Sequence, residues 1–173
     1  MRYAKTVLCL STILLLVVAL HAQNDRTPRK VFGAVLRGVN ESPLTLSGGS
    51  GHLLLTVNDD ESSVHFVLDF TGLQTTVMAS HIHVGQPNIN GGVTVFFCGG
   101  TTRPACPQEG TVEGDFTAND VIGLTPQQLE PNNLEKLLAA IRAGKTYANL
   151  HTANSPAGEI RGQVKAVRRG EDE

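Results

Sequence analysis

The chain has 173 residues, with 14 basic and 16 acidic side chains and a formal net charge of −2. This length is sufficient for one domain with its own hydrophobic core. A mildly acidic chain without a basic patch excludes nucleic acid and anionic lipid as expected partners.

The N-terminus has the features of a secretory signal peptide. Arg2 and Lys5 precede an apolar run over 7–20, and Ala22 is a small residue suited to a cleavage site. The run is shorter than the roughly 20 apolar residues that a membrane span needs. We predict cleavage after Ala22, with Ala19 as the alternative. The remaining 151 residues carry a net charge of −4 and are expected to be periplasmic or extracellular, without a stable membrane span.

Short apolar stretches separated by turn residues dominate the rest of the chain, a pattern typical of a β protein. Strands are predicted over 31–36, 52–57, 64–70, 80–84, 93–97, 111–116, 145–152 and 158–164. One segment, 133–143, has apolar residues at helical spacing and ends before Gly144. We predict an all-β fold, a Greek-key-like antiparallel β-sandwich with one short helical insertion. The predicted organisation is a signal peptide (1–22), a linker (23–30), the domain (31–165) and a disordered tail (166–173).

Cys98 and Cys106 are the cysteines that remain after signal removal, and both lie in a stretch rich in Gly, Pro and Thr. In an oxidising compartment this spacing predicts a disulfide that closes a surface loop. The spacing lacks the two-residue gap of a redox motif.

His81 and His83 are the central candidate site residues. Alternate residues of a strand share a face, so these two imidazoles project the same way, about 6.6 Å apart along the backbone. His151 lies on a distant predicted strand, and we expect the fold to bring it to the pair. Three neutral imidazoles form a recognised transition-metal site. The alternative is structural: the histidines satisfy buried polar groups, together with Asn149, Thr152 and Glu159.

Glu159 and Arg161 are two residues apart on a predicted strand and therefore share a face. On the structural interpretation they form an exposed pair that contributes little stability. No nucleophile elbow, phosphate-binding glycine loop or zinc-protease helix occurs in the sequence. No pair of carboxylates stands out for glycosidic chemistry either, so a conventional hydrolase is not expected.

Several motifs, taken in order, resemble the CHRD (chordin) domain family. They are an opening strand of the 32–38 type, the His81-Ile82-His83 triplet, the Gly-Lys-x-Tyr-x-Asn-x-His-Thr segment over 144–152, and Gly-Glu-Ile-Arg-Gly over 158–162. In animals the resemblance implies repeats within an extracellular growth-factor antagonist. This chain lacks the cysteine-rich modules that accompany those repeats, so growth-factor binding is not carried over.

A second resemblance is to copper–zinc superoxide dismutase. The run from Val64 to His83 is similar to that enzyme's strand, loop and His-x-His unit, and His151 to Gly162 is similar to its later copper histidine and arginine. The resemblance implies that His81, His83 and His151 bind copper and that Arg161 has a catalytic role, facing an incoming anion. The zinc-binding cluster and the metal-bridging histidine of that enzyme are missing from this sequence. The resemblance is therefore compatible at most with a copper-only or metal-free relative of the enzyme.

Two functions are therefore expected from the sequence. The first is an exported CHRD-domain protein that acts as an extracytoplasmic binding or structural module for a protein or small ligand, without a cofactor. The alternative is a copper-binding protein with superoxide dismutase-like chemistry at the three-histidine site.

Overall fold

The computed structural model describes residues 29–167. The predicted signal peptide, most of the predicted linker and the chain from residue 168 onward lie outside this range. Within 29–167 no helix is both long and apolar enough to cross a bilayer.

The described chain consists of strands with one α-helix. The strands are β1 (Val31–Arg37), β2 (Ser50–Val57), β3 (Ser63–Thr71), β4 (Val77–Val84), β5 (Gly92–Gly99), β6 (Gly110–Thr117), β7 (Thr146–Thr152), β8 (Ile160–Gln163) and β9 (Lys165–Ala166). The α-helix, α1, spans Leu134–Arg142, and three short 3-10 segments occupy connections.

The strands form one antiparallel sheet in the order β5-β4-β7-β8-β1-β2-β3-β6, with β9 paired to β1. The halves β5-β4-β7-β8 and β1-β2-β3-β6 are joined through β8 and β1, and the edge strands β5 and β6 also lie close together. The sheet is thus nearly closed around its core. The predicted all-β fold with one short helix is confirmed.

The core follows from residue alternation along the strands. In β3, Val64, Phe66, Leu68 and Phe70 are buried, and the residues between them are more exposed. The ring of Phe66 lies 4.7 Å from that of Phe97 on β5, so the two halves of the sheet pack directly on each other.

Helix α1 begins and ends where the sequence predicts. The side chain of Asn133 accepts a hydrogen bond of 2.9 Å from the backbone N–H of Lys136, which caps the first turn. The apolar side of the helix, Leu134, Leu137, Leu138 and Ile141, is buried in the core. In the last turn Arg142 donates to Glu61 at 2.7 Å, which ties the helix to the β2–β3 turn.

Cys98 and Cys106 form the predicted disulfide across eight positions of sequence. It joins the end of β5 to the loop that leads to β6. Closing a loop of this length stabilises a protein by about 2 to 3 kcal/mol, since it restricts the unfolded chain. We expect the double variant Cys98→Ser/Cys106→Ser to lose about this amount, measured by urea denaturation. Equal unfolding midpoints for the variant and the oxidised wild type would show that the bond contributes nothing.

Strands β4 and β7 are buried on both faces. Ile82, Ala148 and Leu150 face the hydrophobic core. His81 and Asn149, at the intervening positions, face the opposite side, and both are also buried. This outer face is covered by the loop over 85–91 and by the segment over 38–48, so the chain encloses a polar layer outside its apolar core.

Candidate metal centre

The pairing of β4 with β7 brings the three predicted histidines together. His81 lies opposite Asn149, and Ala79 lies opposite His151. Each of His81, His83 and His151 offers a nitrogen within 4.8 Å of the other two. The ring of His81 lies 4.6 Å from that of His151 and 4.9 Å from that of His83. The predicted meeting of these two strands is confirmed.

Backbone carbonyls hold two of the imidazoles in a defined tautomer. Nδ1 of His83 lies 2.9 Å from the carbonyl oxygen of Gly91, and Nδ1 of His151 lies 2.9 Å from that of Pro156. A carbonyl only accepts, so each Nδ1 must carry the proton, and each neutral ring keeps its lone pair on Nε2. Nε2 of His151 is buried and has no hydrogen-bond partner within residues 29–167. Metal-binding histidines are commonly oriented in this way.

His81 completes the cluster through a contact between imidazoles. Its Nδ1 lies 3.0 Å from Nε2 of His83, and because that nitrogen is the acceptor, His81 is the donor. The ring of Phe96 packs edge-on against His81 at 4.8 Å. A metal ion bound by Nε2 of His83 would replace this hydrogen bond.

The three imidazoles are neutral at physiological pH. Burial lowers the pKa of His81 to about 3, and the neighbouring imidazoles of His151 and His83 lower it further. Burial likewise lowers the pKa of His83 to about 4, and it lowers the pKa of His151. Neutral imidazole is the form that binds a metal, so little proton competition is expected at pH 7.

Tyr147 and Arg161 form a stack behind His83. The Tyr147 ring is parallel to the His83 ring, with 4.6 Å between the centres. The guanidinium carbon of Arg161 lies 3.3 Å from the centre of the Tyr147 ring on the sheet's outer side. Arg161 is only 2% exposed. The charged group therefore belongs to the buried layer around the imidazoles.

The covering loop is fastened to this stack. Arg161 donates to the carbonyl oxygens of Gln86 and Ile89 at 3.2 and 2.9 Å, and to the side-chain oxygen of Asn90 at 3.2 Å. The backbone N–H of Gly91 donates to the Tyr147 hydroxyl at 3.1 Å. Arg161 thus lies beside the histidine cluster and binds loop oxygens.

Glu41 is a residue near the cluster that sequence reasoning missed. It is 6% exposed, and its Oε1 has no hydrogen-bond partner within the described chain. A Cβ atom on Gly158 would overlap this oxygen and would lie 2.9 Å from Nδ2 of Asn149. Burial raises the pKa of Glu41 to about 7, although the nearby charge of Arg161 opposes the shift. No sequence signal marks this position, which follows a short 3-10 turn.

Glu159 has a structural role. It is 1% exposed and accepts hydrogen bonds from the hydroxyls of Ser47 and Thr152 and from the backbone N–H of Gln74. The prediction that Glu159 and Arg161 form an exposed pair is wrong, because both are buried and each bonds a different loop. Thr152 and Glu159 thus bond each other, and neither is hydrogen-bonded to a histidine of the cluster in the described chain.

Comparison with known proteins identifies the family. A search of curated proteins found no match. The sequence profile of the CHRD domain matches residues 32–164, which extend from β1 to the residue after β8 and include all three histidines and Arg161. The match covers most of the chain and agrees with the ordered motifs seen in the sequence. The chain therefore belongs to the CHRD domain family.

Proposed function

We propose that this CHRD-domain protein is an exported binding module that holds a copper ion with His81, His83 and His151. The convergence of three nitrogens within 4.8 Å of one another carries the proposal. Export is supported by the signal-like N-terminus and by the disulfide, which persists in oxidising compartments.

The donor set fits copper. All three groups are neutral imidazoles, which suit copper, zinc, iron and nickel, and the set contains no carboxylate of the kind that magnesium and calcium prefer. A bound ion would also provide a partner for Nε2 of His151, a buried acceptor that no group of the described chain pairs. Copper would supply a centre able to exchange one electron, while the chain's own residues orient the imidazoles and exclude water.

The test is metal loading of purified mature protein. We expect wild type to bind one copper ion per chain, and His83→Ala and His151→Ala to lose that binding, as measured by elemental analysis after gel filtration. His52→Ala is the matched control, since His52 lies on β2 outside the cluster. Copper at 100 times its Kd should also stabilise wild type by about 2.7 kcal/mol. Equal copper content in His83→Ala and wild type would remove the proposal.

Superoxide dismutation is a second candidate, favoured by the buried charge of Arg161, which stacks on the Tyr147 ring next to His83. In this reaction one superoxide gives up an electron and leaves as O₂, and a second takes the electron with two protons and leaves as H₂O₂. A buried cation near the metal would attract the anion. The superoxide dismutation rate per copper ion should then be higher for copper-loaded wild type than for free copper. In Arg161→Gln the rate should fall to that of free copper. A rate no greater than that of free copper excludes this candidate.

A further inference from the structure

The histidine cluster has an unusual charge environment for a site that would hold a dication. The three ligand groups bring no negative charge, because all are imidazoles. Imidazole ligands alone do not decide between copper and zinc. The charges around the ligands are therefore one factor that can set the selectivity of the site.

Arg161 is a buried cation near the cluster. Its guanidinium carbon lies 3.3 Å from the Tyr147 ring centre, and that centre lies 4.6 Å from the His83 ring centre, so Arg161 is less than 8 Å from the His83 ring. A guanidinium remains charged in proteins. Because this one is buried, solvent screens it less than it would a surface charge.

Glu41 is the carboxyl group that opposes this charge. It interacts electrostatically with Arg161, but it keeps its proton up to about pH 7 because it is buried. Glu159 is a second buried carboxyl, two residues from Arg161 in sequence. Its carboxylate oxygens accept hydrogen bonds from Ser47, Thr152 and Gln74. At pH 6 the positive charge of Arg161 is therefore not cancelled by Glu41.

We propose that the buried guanidinium of Arg161 makes the three-histidine site select monovalent copper over divalent ions. The inference rests on the proposed copper site and adds the charge state of its ion. A second positive charge on the metal is repelled by Arg161, and at this distance in a partly screened site the extra repulsion corresponds to about 10- to 30-fold in affinity. Arg161 would thus shift the relative affinities of the site toward Cu(I) and away from Cu(II) and Zn(II).

The decisive measurement is the ratio of the Cu(I) and Zn(II) dissociation constants, obtained by competition with chelators under anaerobic conditions at pH 6. Arg161→Met removes the charge and should shift the ratio toward zinc by about 10- to 30-fold. Arg161→Lys keeps the charge and should stay close to wild type. Lys136→Met removes an exposed charge on α1 and is the control for net charge. The midpoint potential of bound copper should fall in Arg161→Met alone.

An unchanged ratio in Arg161→Met overturns the inference, as does an equal shift in Arg161→Lys, which would indicate loop geometry in place of charge. If Arg161→Met does not fold, the same ratio of dissociation constants measured for Glu41→Gln at pH 8 tests the inference. This variant removes a negative charge beside Arg161 and should move the ratio several-fold toward Cu(I), and no movement overturns the inference. Failure of the proposed copper site itself would give a different result. Wild type and His151→Ala would then have the same affinity for Cu(I) and for Zn(II).

Discussion

Replacing Gly91 by alanine is expected to destabilise the protein and to disrupt the histidine cluster together. A Cβ atom at this position would overlap the carbonyl oxygen of Val84 at the end of β4, and it would also crowd Gly85. Backbone cannot move aside as a flexible side chain can, so the loop must lift. We expect the free energy of unfolding to fall by about 1 to 3 kcal/mol, the usual range for overpacking.

The same change should weaken metal binding at the proposed copper site. The Gly91 carbonyl holds Nδ1 of His83, and its N–H donates to the hydroxyl of Tyr147, which stacks on His83. Loss of such outer partners typically costs about 10- to 100-fold in metal affinity. Gly48→Ala is the matched control, since a Cβ there meets no atom within 4 Å. Urea denaturation and copper titration of both variants provide the test, and equal values for the two variants would contradict it.

Replacing Glu41 by glutamine should stabilise the protein at alkaline pH. Burial raises the pKa of Glu41 from 4.5 to about 7, so the folded state keeps a proton that the unfolded state has already lost. A group of this kind contributes its full stability below about pH 4.5, and that contribution is lost as the pH rises through 7. Glutamine has no charge to bury. At pH 8 we expect the free energy of unfolding of Glu41→Gln to be higher than that of wild type by on the order of 2 kcal/mol.

The pH dependence separates this effect from a change in packing. At pH 5 wild type and Glu41→Gln should differ little, because the buried carboxyl is then protonated and resembles the amide. Glu135→Gln, on the exposed side of α1, is the control, and its free energy of unfolding should match that of wild type at every pH. The free energy of unfolding at five or six pH values is the measurement. A constant difference between Glu41→Gln and wild type would mean that the carboxyl does not titrate in the buried state.

Local patterns were enough to predict the strands and the shared face of His81 and His83, and the expected approach of His151 to this pair is also present. Alternation of Val64, Phe66, Leu68 and Phe70 indicates a strand with one buried face, and the structure confirms it. His81 and His83 share a face for the same reason, and the Cα register with β7 places His151 beside them. The ordered motifs also identified the CHRD family, which the profile match confirms.

The surroundings of the histidines could not be predicted in the same way, because they depend on contacts between distant segments. The interpretation of Arg161 as part of an exposed pair assumed a solvated strand face, but the 85–91 loop folds over it and accepts its hydrogen bonds. The burial of Glu41 depends on the close approach of Gly158, more than a hundred residues later. Neither of these two contacts between distant segments leaves a periodic signal in the sequence.

The two-sided burial of β4 has a consequence for how the proposed copper site would be filled. Ile82 contributes to the apolar interior, while the flanking histidines occupy the opposite surface, so folding and ligand capture use different side chains of one strand. The scaffold should consequently fold without a metal ion, and on the proposed function the ion would bind afterwards as a separate step. By the same logic, relatives that have exchanged these histidines for other residues should retain an intact scaffold.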